Sequence, residues 1–326
     1  MKRFGIVEGF YGKLLSFDER KIFCNALKSS DLNFYLYAPK EDPFIRTHID
    51  LEHTKEWLND FEDFASFTEE LGINLGIGLS LINTNDFENL KTKIRQFMGF
   101  KIKYFSILFD DIDSNFDYQN QKRVMTDLMD SFPEINLDYC PTVYSSELIN
   151  KNIEHANYFS QFTKDRIKDL NFFWTGEKVI STSLNKDSET DLDEENSSLI
   201  SIWDNYFTTD SCPKKMNLTL MKHLDHSYLM SKDCYLVNLT GMPRTDSLII
   251  DLFGNFKAKS DSSFEDILLK HGVDERLIPY VYLFDPSQKI KIDSDTKDKI
   301  HKIMFTWFHP LKNEWYPYLH NLKNWE

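Results

Sequence analysis

Eight apolar runs, most of them separated by stretches of helical spacing, constrain the fold of this chain more than any other feature. They are Phe4–Phe10, Asn33–Lys40, Ile73–Leu81, Tyr104–Phe109, Asn136–Tyr144, Asn171–Thr175, Leu199–Asn205 and Tyr235–Thr240. Near-continuous hydrophobicity, as in Tyr104–Phe109, suits strands covered on both faces, the condition of a parallel sheet. Between them, Ile22, Phe23, Ala26 and Leu27 fall on one helical face behind a capping box formed by Ser16 and Glu19. Trp57, Leu58, Phe61, Phe64, Ala65 and Leu71 make a second stripe, and Phe87, Leu90, Ile94 and Phe97 a third, which is expected to start from Asn85. Further helices are expected over 119–129 and 247–256. Strand–helix alternation of this kind predicts parallel strands joined by right-handed crossovers, and eight strands predict an α/β fold of the (β/α)8 TIM-barrel type. The barrel is expected over residues 1–256. Residues 257–326 form a short aromatic-rich C-terminal extension carrying Trp307, Phe308, Trp315, Tyr316, Tyr318 and Trp325, expected to pack on the barrel. Ser183–Ser198, acidic and poor in apolar residues, is expected to be a solvated helix or a mobile loop.

The mouth of such a barrel lies at the strand C-termini, and the fourth run ends there in Asp110 and Asp111, with Asp113 close behind. Successive strand residues point to opposite faces, so both acids can reach one ligand only if the strand is ending at that point. Other strand ends are also polar: Glu8-Gly9-Phe10-Tyr11-Gly12, Lys40 with Glu41-Asp42, Cys140 to Tyr144, Trp174-Thr175-Gly176, and Trp203-Asp204-Asn205 with Asp210 beyond. Each alone is compatible with an ion pair, a helix cap or a core tryptophan. Gathered on one rim, carboxylates, an aromatic platform and amide and hydroxyl donors suit a sugar pocket. Two carboxylates suggest glycoside hydrolysis, but the usual pair straddles the sugar from separate strands. Neighbours would instead serve a leaving oxygen and a group beside it, such as a 2-acetamido substituent acting as internal nucleophile. Asp110, Asp111 and Asp113 could alternatively hold magnesium or calcium through oxygen ligands.

A formal charge of -14 disfavours nucleic acid, because no basic stripe is present to neutralise a phosphate backbone. Cys24, Cys140, Cys212 and Cys234 show no paired spacing, which argues against a disulfide framework or structural zinc and for a reducing compartment. The chain enters its first strand-like run at Arg3 without the zones of a signal peptide, and no run approaches membrane-spanning length. A cytoplasmic protein with no membrane partner is the expectation; the sequons at Asn196, Asn217 and Asn238 would matter only after export.

Six motifs, in order, resemble those of glycoside hydrolase family 84, the O-GlcNAcases and related β-N-acetylglucosaminidases. They are Val7-Glu8-Gly9-Phe10-Tyr11-Gly12, Tyr35-Leu36-Tyr37-Ala38-Pro39-Lys40, Leu108-Phe109-Asp110-Asp111-Ile112-Asp113, Cys140-Pro141-Thr142 with Tyr144, Trp174-Thr175-Gly176 with Val179, and Ile202-Trp203-Asp204-Asn205 with Asp210. The resemblance implies a retaining, substrate-assisted β-N-acetylglucosaminidase acting on glycoproteins or glycans that bear N-acetylglucosamine, without cofactor or metal. It implies that Asp110 holds the acetamido N–H while Asp111 is the general acid and later the base. Tyr144 would bond the acetamido oxygen, with Asn205 helping to fix that group. Cys140, Thr175, Val179 and Trp203 would wall it; Gly9 and Lys40 would take the 3-hydroxyl, and Asp210 the 4- and 6-hydroxyls. In three places the chain departs from the family pattern. Thr240 stands where an asparagine that helps bind the outer hydroxyls is expected, Ile49 where a tryptophan is expected, and Leu14-Leu15 in place of Pro-Trp. The departures at Thr240 and Ile49 motivate a second reading, a catalytically idle glycan-binding barrel.

Overall fold

The computed structural model describes residues 2–82, 86–110, 112, 116–210, 214–285 and 291–324. Eight strands close into a barrel in sequence order: β1 (Arg3–Glu8), β2 (Phe34–Tyr37), β3 (Asn74–Ser80), β4 (Tyr104–Leu108), β5 (Asn136–Cys140), β6 (Asn171–Trp174), β7 (Ile200–Asp204) and β8 (Cys234–Asn238). Every neighbouring pair is parallel, and β8 returns to β1 with Val7 level with Asn238. The expected (β/α)8 barrel is therefore the observed fold. Helices α1 (Phe17–Ser29), α2 (Lys55–Glu70), α3 (Phe87–Met98), α4 (Tyr118–Ser131), α5 (Ser146–Ile149), α6 (Ile153–Lys164), α7 (Glu194–Ser197), α8 (His226–Ser231) and α9 (Pro243–Ala258) fill the crossovers. The capping box at Ser16 and Glu19 is present, each side chain meeting the other residue's backbone N–H. Asn85 lies outside the described residues, and α3 begins behind Asp86.

Strand alternation divides the interior. Phe105, Ile107 and Phe109 join the sheet–helix layer with Tyr35, Ile77 and Phe61, whereas Val7, Leu36, Leu108, Cys140, Phe173 and Trp203 fill the lumen. Towards the N-terminal end of the strands, Arg3 pairs with Asp138 at 2.7 Å and lies over the rings of Phe34 and Tyr104. A cavity of about 660 Å³ at that end is lined by Lys2, Arg3, Asn136 and Asp233 among others. None of the expected site residues reaches it, in keeping with the rule that this face of a barrel serves stability.

After α9, helices α10 (Phe264–Lys270), α11 (Ser294–Thr306) and α12 (Leu311–Lys323) share a second hydrophobic core with Leu248 and Leu252 of α9 and with Met216 and Leu218. Trp307, Trp315 and Tyr318 are buried in it, while Phe308 and Tyr316 face outwards; Trp325 lies outside the described residues. The segment 183–198 is less solvated than its composition suggests. Leu184 and Leu192 are buried, and so is Glu189, which is paired with Lys232 and accepts from the Tyr228 hydroxyl at 2.5 Å. A partnered acid can be buried where an unpaired one cannot, and composition alone does not reveal the partner. Asn196, Asn217 and Asn238 are all buried, so none of the three sequons is exposed in this fold. Cys24, Cys140 and Cys234 are buried free thiols. No helix among the described residues is long and apolar enough to cross a membrane.

Candidate active site

At the C-terminal mouth of the barrel a cavity of about 200 Å³ is lined by Gly9, Tyr11, Lys40, Asp110, Cys140, Tyr144, Thr175, Val179, Ile180, Trp203, Asn205, Thr208, Asp210 and Asn238. Drug-sized pockets usually run to about 300–1,000 Å³, so this one suits a single small polar unit. Residues from separate strand ends, which only the closed barrel brings together, meet here. All the expected site residues that fall among the described residues line it: Gly9, Lys40, Asp110, Cys140, Tyr144, Thr175, Val179, Trp203, Asn205 and Asp210. Asp111 and Asp113 lie outside the described residues.

β4 ends at Leu108, and the Phe109 N–H still reaches Cys140 O at 2.9 Å before the chain turns at Asp110. Asp110 is thereby released from strand alternation, and its side chain faces the mouth. Thr142 fixes that turn from behind: its hydroxyl donates to Phe109 O at 2.8 Å and accepts from Gln121 Nε2 at 2.8 Å. One carboxylate oxygen of Asp110, Oδ2, pairs with Lys40 Nζ, and the two side chains are only 11% and 5% exposed. The other, Oδ1, is buried and has no hydrogen-bond donor among the described residues. An anionic oxygen in that state is costly, and such groups mark places where a ligand donor belongs.

A chain of amides defines the opposite wall. Gly9 N–H donates to Asn238 Oδ1 at 3.0 Å, Asn238 Nδ2 donates to Asn205 Oδ1 at 2.8 Å, and Trp203 Nε1 donates to the same oxygen at 3.0 Å. Asn205 Nδ2 then donates to Val179 O at 2.9 Å. The orientation of both amides is forced, because the Gly9 and Trp203 N–H groups can only donate and the Val179 carbonyl can only accept. Each asparagine keeps a second N–H beyond those it spends in this chain. Gly9 must be glycine: a Cβ there would lie 2.4 Å from Trp203 Cζ2. The Trp203 ring stands edge-on to Phe173, with centroids 5.4 Å apart, and so cannot readily retreat.

Two buried Asp–His pairs hold the loops that carry Lys40 and Asn205. Asp42 accepts from the Tyr37 hydroxyl at 2.7 Å and the Phe44 N–H at 3.0 Å, and lies against His53 Nε2; His53 stacks on Trp57 with centroids 3.5 Å apart. Asp204 accepts from the Tyr235 hydroxyl at 2.7 Å and the Tyr206 N–H at 2.9 Å, and lies 2.7 Å from His223 Nε2. Burial pulls both carboxyls upward, but the paired histidine and the converging donors outweigh it and hold each below the ordinary 3.8. A carboxyl depressed in the folded state contributes stability that is fully present above 3.8 and is lost as the pH falls through its folded value. Below 3.8 the wild type should therefore lose stability on acidification more steeply than Asp42→Asn or Asp204→Asn, by up to about 1.4 kcal/mol per pH unit for each proton involved. Denaturant unfolding across that range checks this; equal slopes would show that neither carboxyl is depressed.

Sequence reasoning missed Asn238, Tyr11, Ile180 and Thr208 as pocket residues. Thr240, expected to stand in place of the family's asparagine, turns away from the pocket: its hydroxyl donates to Asp246 Oδ1 at 2.7 Å and accepts from Met242 N–H at 3.2 Å. β8 stops at Asn238 and the chain reverses at Gly241, with φ of +80°, so Asn238 and Thr240 do not share a face. In the sequence Asn238 is a polar residue inside the apolar run 235–240, and only the end of β8 in the fold singles it out from Thr240. Ile49, a second departure, is buried in the sheet–helix core and not in the pocket. Glu8, in the first motif, is buried too, gripped by Arg20 through two bonds of 2.8 Å and by the Tyr35 hydroxyl at 2.6 Å.

A family model described as beta-N-acetylglucosaminidase matches residues 4–275, a span that includes all of the barrel but Arg3 at the start of β1 and every residue lining this pocket. The chain belongs to that family. Among curated relatives, the protein O-GlcNAcase of Mus musculus is 27% identical over 232 residues, a match covering 66% of this chain and 25% of that protein. The protein O-GlcNAcase of Rattus norvegicus matches with the same identity and coverage. The match thus spans about a quarter of the length of these relatives. Within the matched span, Gly9, Lys40, Asp110, Cys140, Thr175 and Asn205, far apart in sequence, converge on one cavity.

Proposed function

We propose that this chain is a retaining β-N-acetylglucosaminidase of the O-GlcNAcase type, releasing terminal β-linked N-acetylglucosamine from a glycoprotein or glycan with the sugar's own acetamido oxygen as nucleophile. The observation that carries this reading is Asp110, with Oδ2 on Lys40 and Oδ1 buried at the cavity without a donor among the described residues. The acetamido N–H of a bound sugar supplies the missing donor. As that group's oxygen attacks C1, positive charge develops on the amide, and Asp110 stabilises it. The C1–oxygen bond to the aglycone breaks as Asp111 gives its proton to the departing oxygen. Water then adds to C1 as Asp111 takes a proton back, the acetamide reforms, and the β configuration is retained.

Around that centre, Tyr144 bonds the acetamido oxygen, and Cys140, Thr175, Val179 and Trp203 enclose its methyl group. Asn205 orients the acetamido side, Gly9 and Lys40 take the 3-hydroxyl, and Asp210 and Asn238 take the outer hydroxyls. The Lys40 ammonium already neutralises Asp110, which favours this chemistry over a divalent cation shared by Asp110, Asp111 and Asp113. The reading extends to this chain what the names of the two relatives above say of them. Hydrolysis of an aryl β-N-acetylglucosaminide in the presence of chelator tests it, beside calorimetry with N-acetylglucosamine. Turnover undiminished by chelator is expected; sugar binding without turnover would identify a glycan-binding barrel instead.

A further inference from the structure

The barrel helix after β8 begins without a cap of its own. Met242 stands at its N-cap and makes no side-chain hydrogen bond, and Pro243 at the first position has no N–H to satisfy. The next two backbone donors are met from the far end of the chain: Glu314 of α12 accepts from Arg244 N–H at 3.0 Å through Oε1 and from Thr245 N–H at 2.8 Å through Oε2. The Thr245 hydroxyl also donates to Glu314 Oε2 at 2.7 Å and accepts from Trp315 Nε1 at 3.0 Å. A carboxylate so placed satisfies orphan donors and complements the helix dipole together. One residue further on, Asp246 reaches back to accept from Thr240 N–H at 2.9 Å, the Thr240 hydroxyl at 2.7 Å and Gly241 N–H at 3.1 Å. The turn so fastened follows directly on Asn238, whose amide joins Gly9 to Asn205.

A second segment, 214–218, is tied to the C-terminal extension, to the stretch between α10 and α11 and to α12. Downstream of Asp210, Met216 N–H donates to Phe284 O at 2.9 Å, Lys215 Nζ to Asp285 O at 3.3 Å, and Asn321 Nδ2 to Lys214 O at 3.4 Å. Met216 and Leu218 are buried in one core with Leu252, Trp315 and Leu319. Asp110, on the acetamido side, is held otherwise, by Lys40 and by Thr142 behind it, from within the barrel.

We propose that the C-terminal helices brace the outer-hydroxyl half of the sugar pocket, and that Glu314 is the positioning residue through which α12 sets the β8–α9 turn and hence Asn238. This rests on the glycosidase reading above. Contacts to outer hydroxyls are made in ground and transition states alike, so loosening them raises KM and leaves kcat. Glu314→Ala is expected to raise KM on an aryl β-N-acetylglucosaminide, and the calorimetric Kd for N-acetylglucosamine, about five- to tenfold, the worth of one or two lost hydrogen bonds. kcat should stay within about twofold. Glu314→Gln, which keeps an acceptor for the backbone, should recover part of the loss. Thr245→Val, which removes the hydroxyl between Glu314 and Trp315 at constant shape, should show a smaller rise in KM and serves if Glu314→Ala does not fold. As a control, Ile303→Val in α11 should lower Tm without moving KM. A lowered Tm with unchanged KM and Kd in the Glu314 and Thr245 variants would overturn the proposal by reducing Glu314 to a structural cap. A wild-type protein that neither hydrolyses nor binds the sugar would instead overturn the glycosidase reading, and the brace with it.

Discussion

Asp110→Asn is expected to lower kcat on any β-N-acetylglucosaminide by about 10²–10³-fold, the usual cost of removing one preorganised group that meets charge in the transition state. The substitution keeps the shape but removes the negative charge that Lys40 and the developing acetamido cation share, and it leaves the Lys40 ammonium, 5% exposed, beside a neutral amide. Because Asp110 acts on the internal nucleophile, the loss should not depend on the leaving group. Asp111→Asn should differ in kind. Loss of a general acid costs about 10²–10⁴-fold when the departing oxygen is a poor leaving group and much less when it is an activated phenol. Steady-state kinetics of both variants on an aryl glycoside and on a glycopeptide separate the roles. Equal losses for both variants on both substrates, with sensitivity to chelator, would assign the two acids to a cation site instead.

The second large effect concerns stability. Arg20→Met should destabilise the fold by about 3–5 kcal/mol, because it leaves the Glu8 carboxylate buried without its partner. Glu8 is fully buried, and Arg20 binds both of its oxygens at 2.8 Å while donating from its third nitrogen to Leu15 O at 2.5 Å. The pair pins α1 to the last residue of β1, immediately before Gly9, so activity should fall at temperatures where the variant remains folded. Denaturant unfolding measures the loss. Adding Glu8→Gln should recover a substantial part of it, since the penalty comes from the stranded charge more than from the missing bond. A double variant no more stable than the single one would mean that packing of the Arg20 stem, over the rings of Phe17 and Tyr37, carries the effect.

Periodicity was enough to read the barrel. All eight strands fall within or next to the expected apolar runs, because parallel strands buried on both faces leave an uninterrupted apolar signature. The ends were harder. The run 136–144 yields a strand only to Cys140, since Pro141 cannot donate to a ladder. The site was legible wherever a motif ended a strand, as at Lys40, Asp110 and Asn205. It was illegible where partnering decides the role. Nothing local distinguishes the buried Glu8 from a pocket acid, or Asn238 from Thr240; the first depends on Arg20, and the second on where β8 stops. The brace through Glu314 was equally hidden, because a tertiary cap joins residues about seventy positions apart and leaves no trace in local spacing.

The central claim is that the sugar's acetamide, steered by Asp110, is the nucleophile. Replacing the acetyl methyl of an aryl β-N-acetylglucosaminide by its mono-, di- and trifluoro forms weakens that oxygen stepwise without altering the leaving group. With the acetamide as nucleophile, kcat/KM falls steeply and monotonically along the series. A flat series would contradict it, since an enzyme carboxylate as nucleophile would not register electron withdrawal at the acetamide.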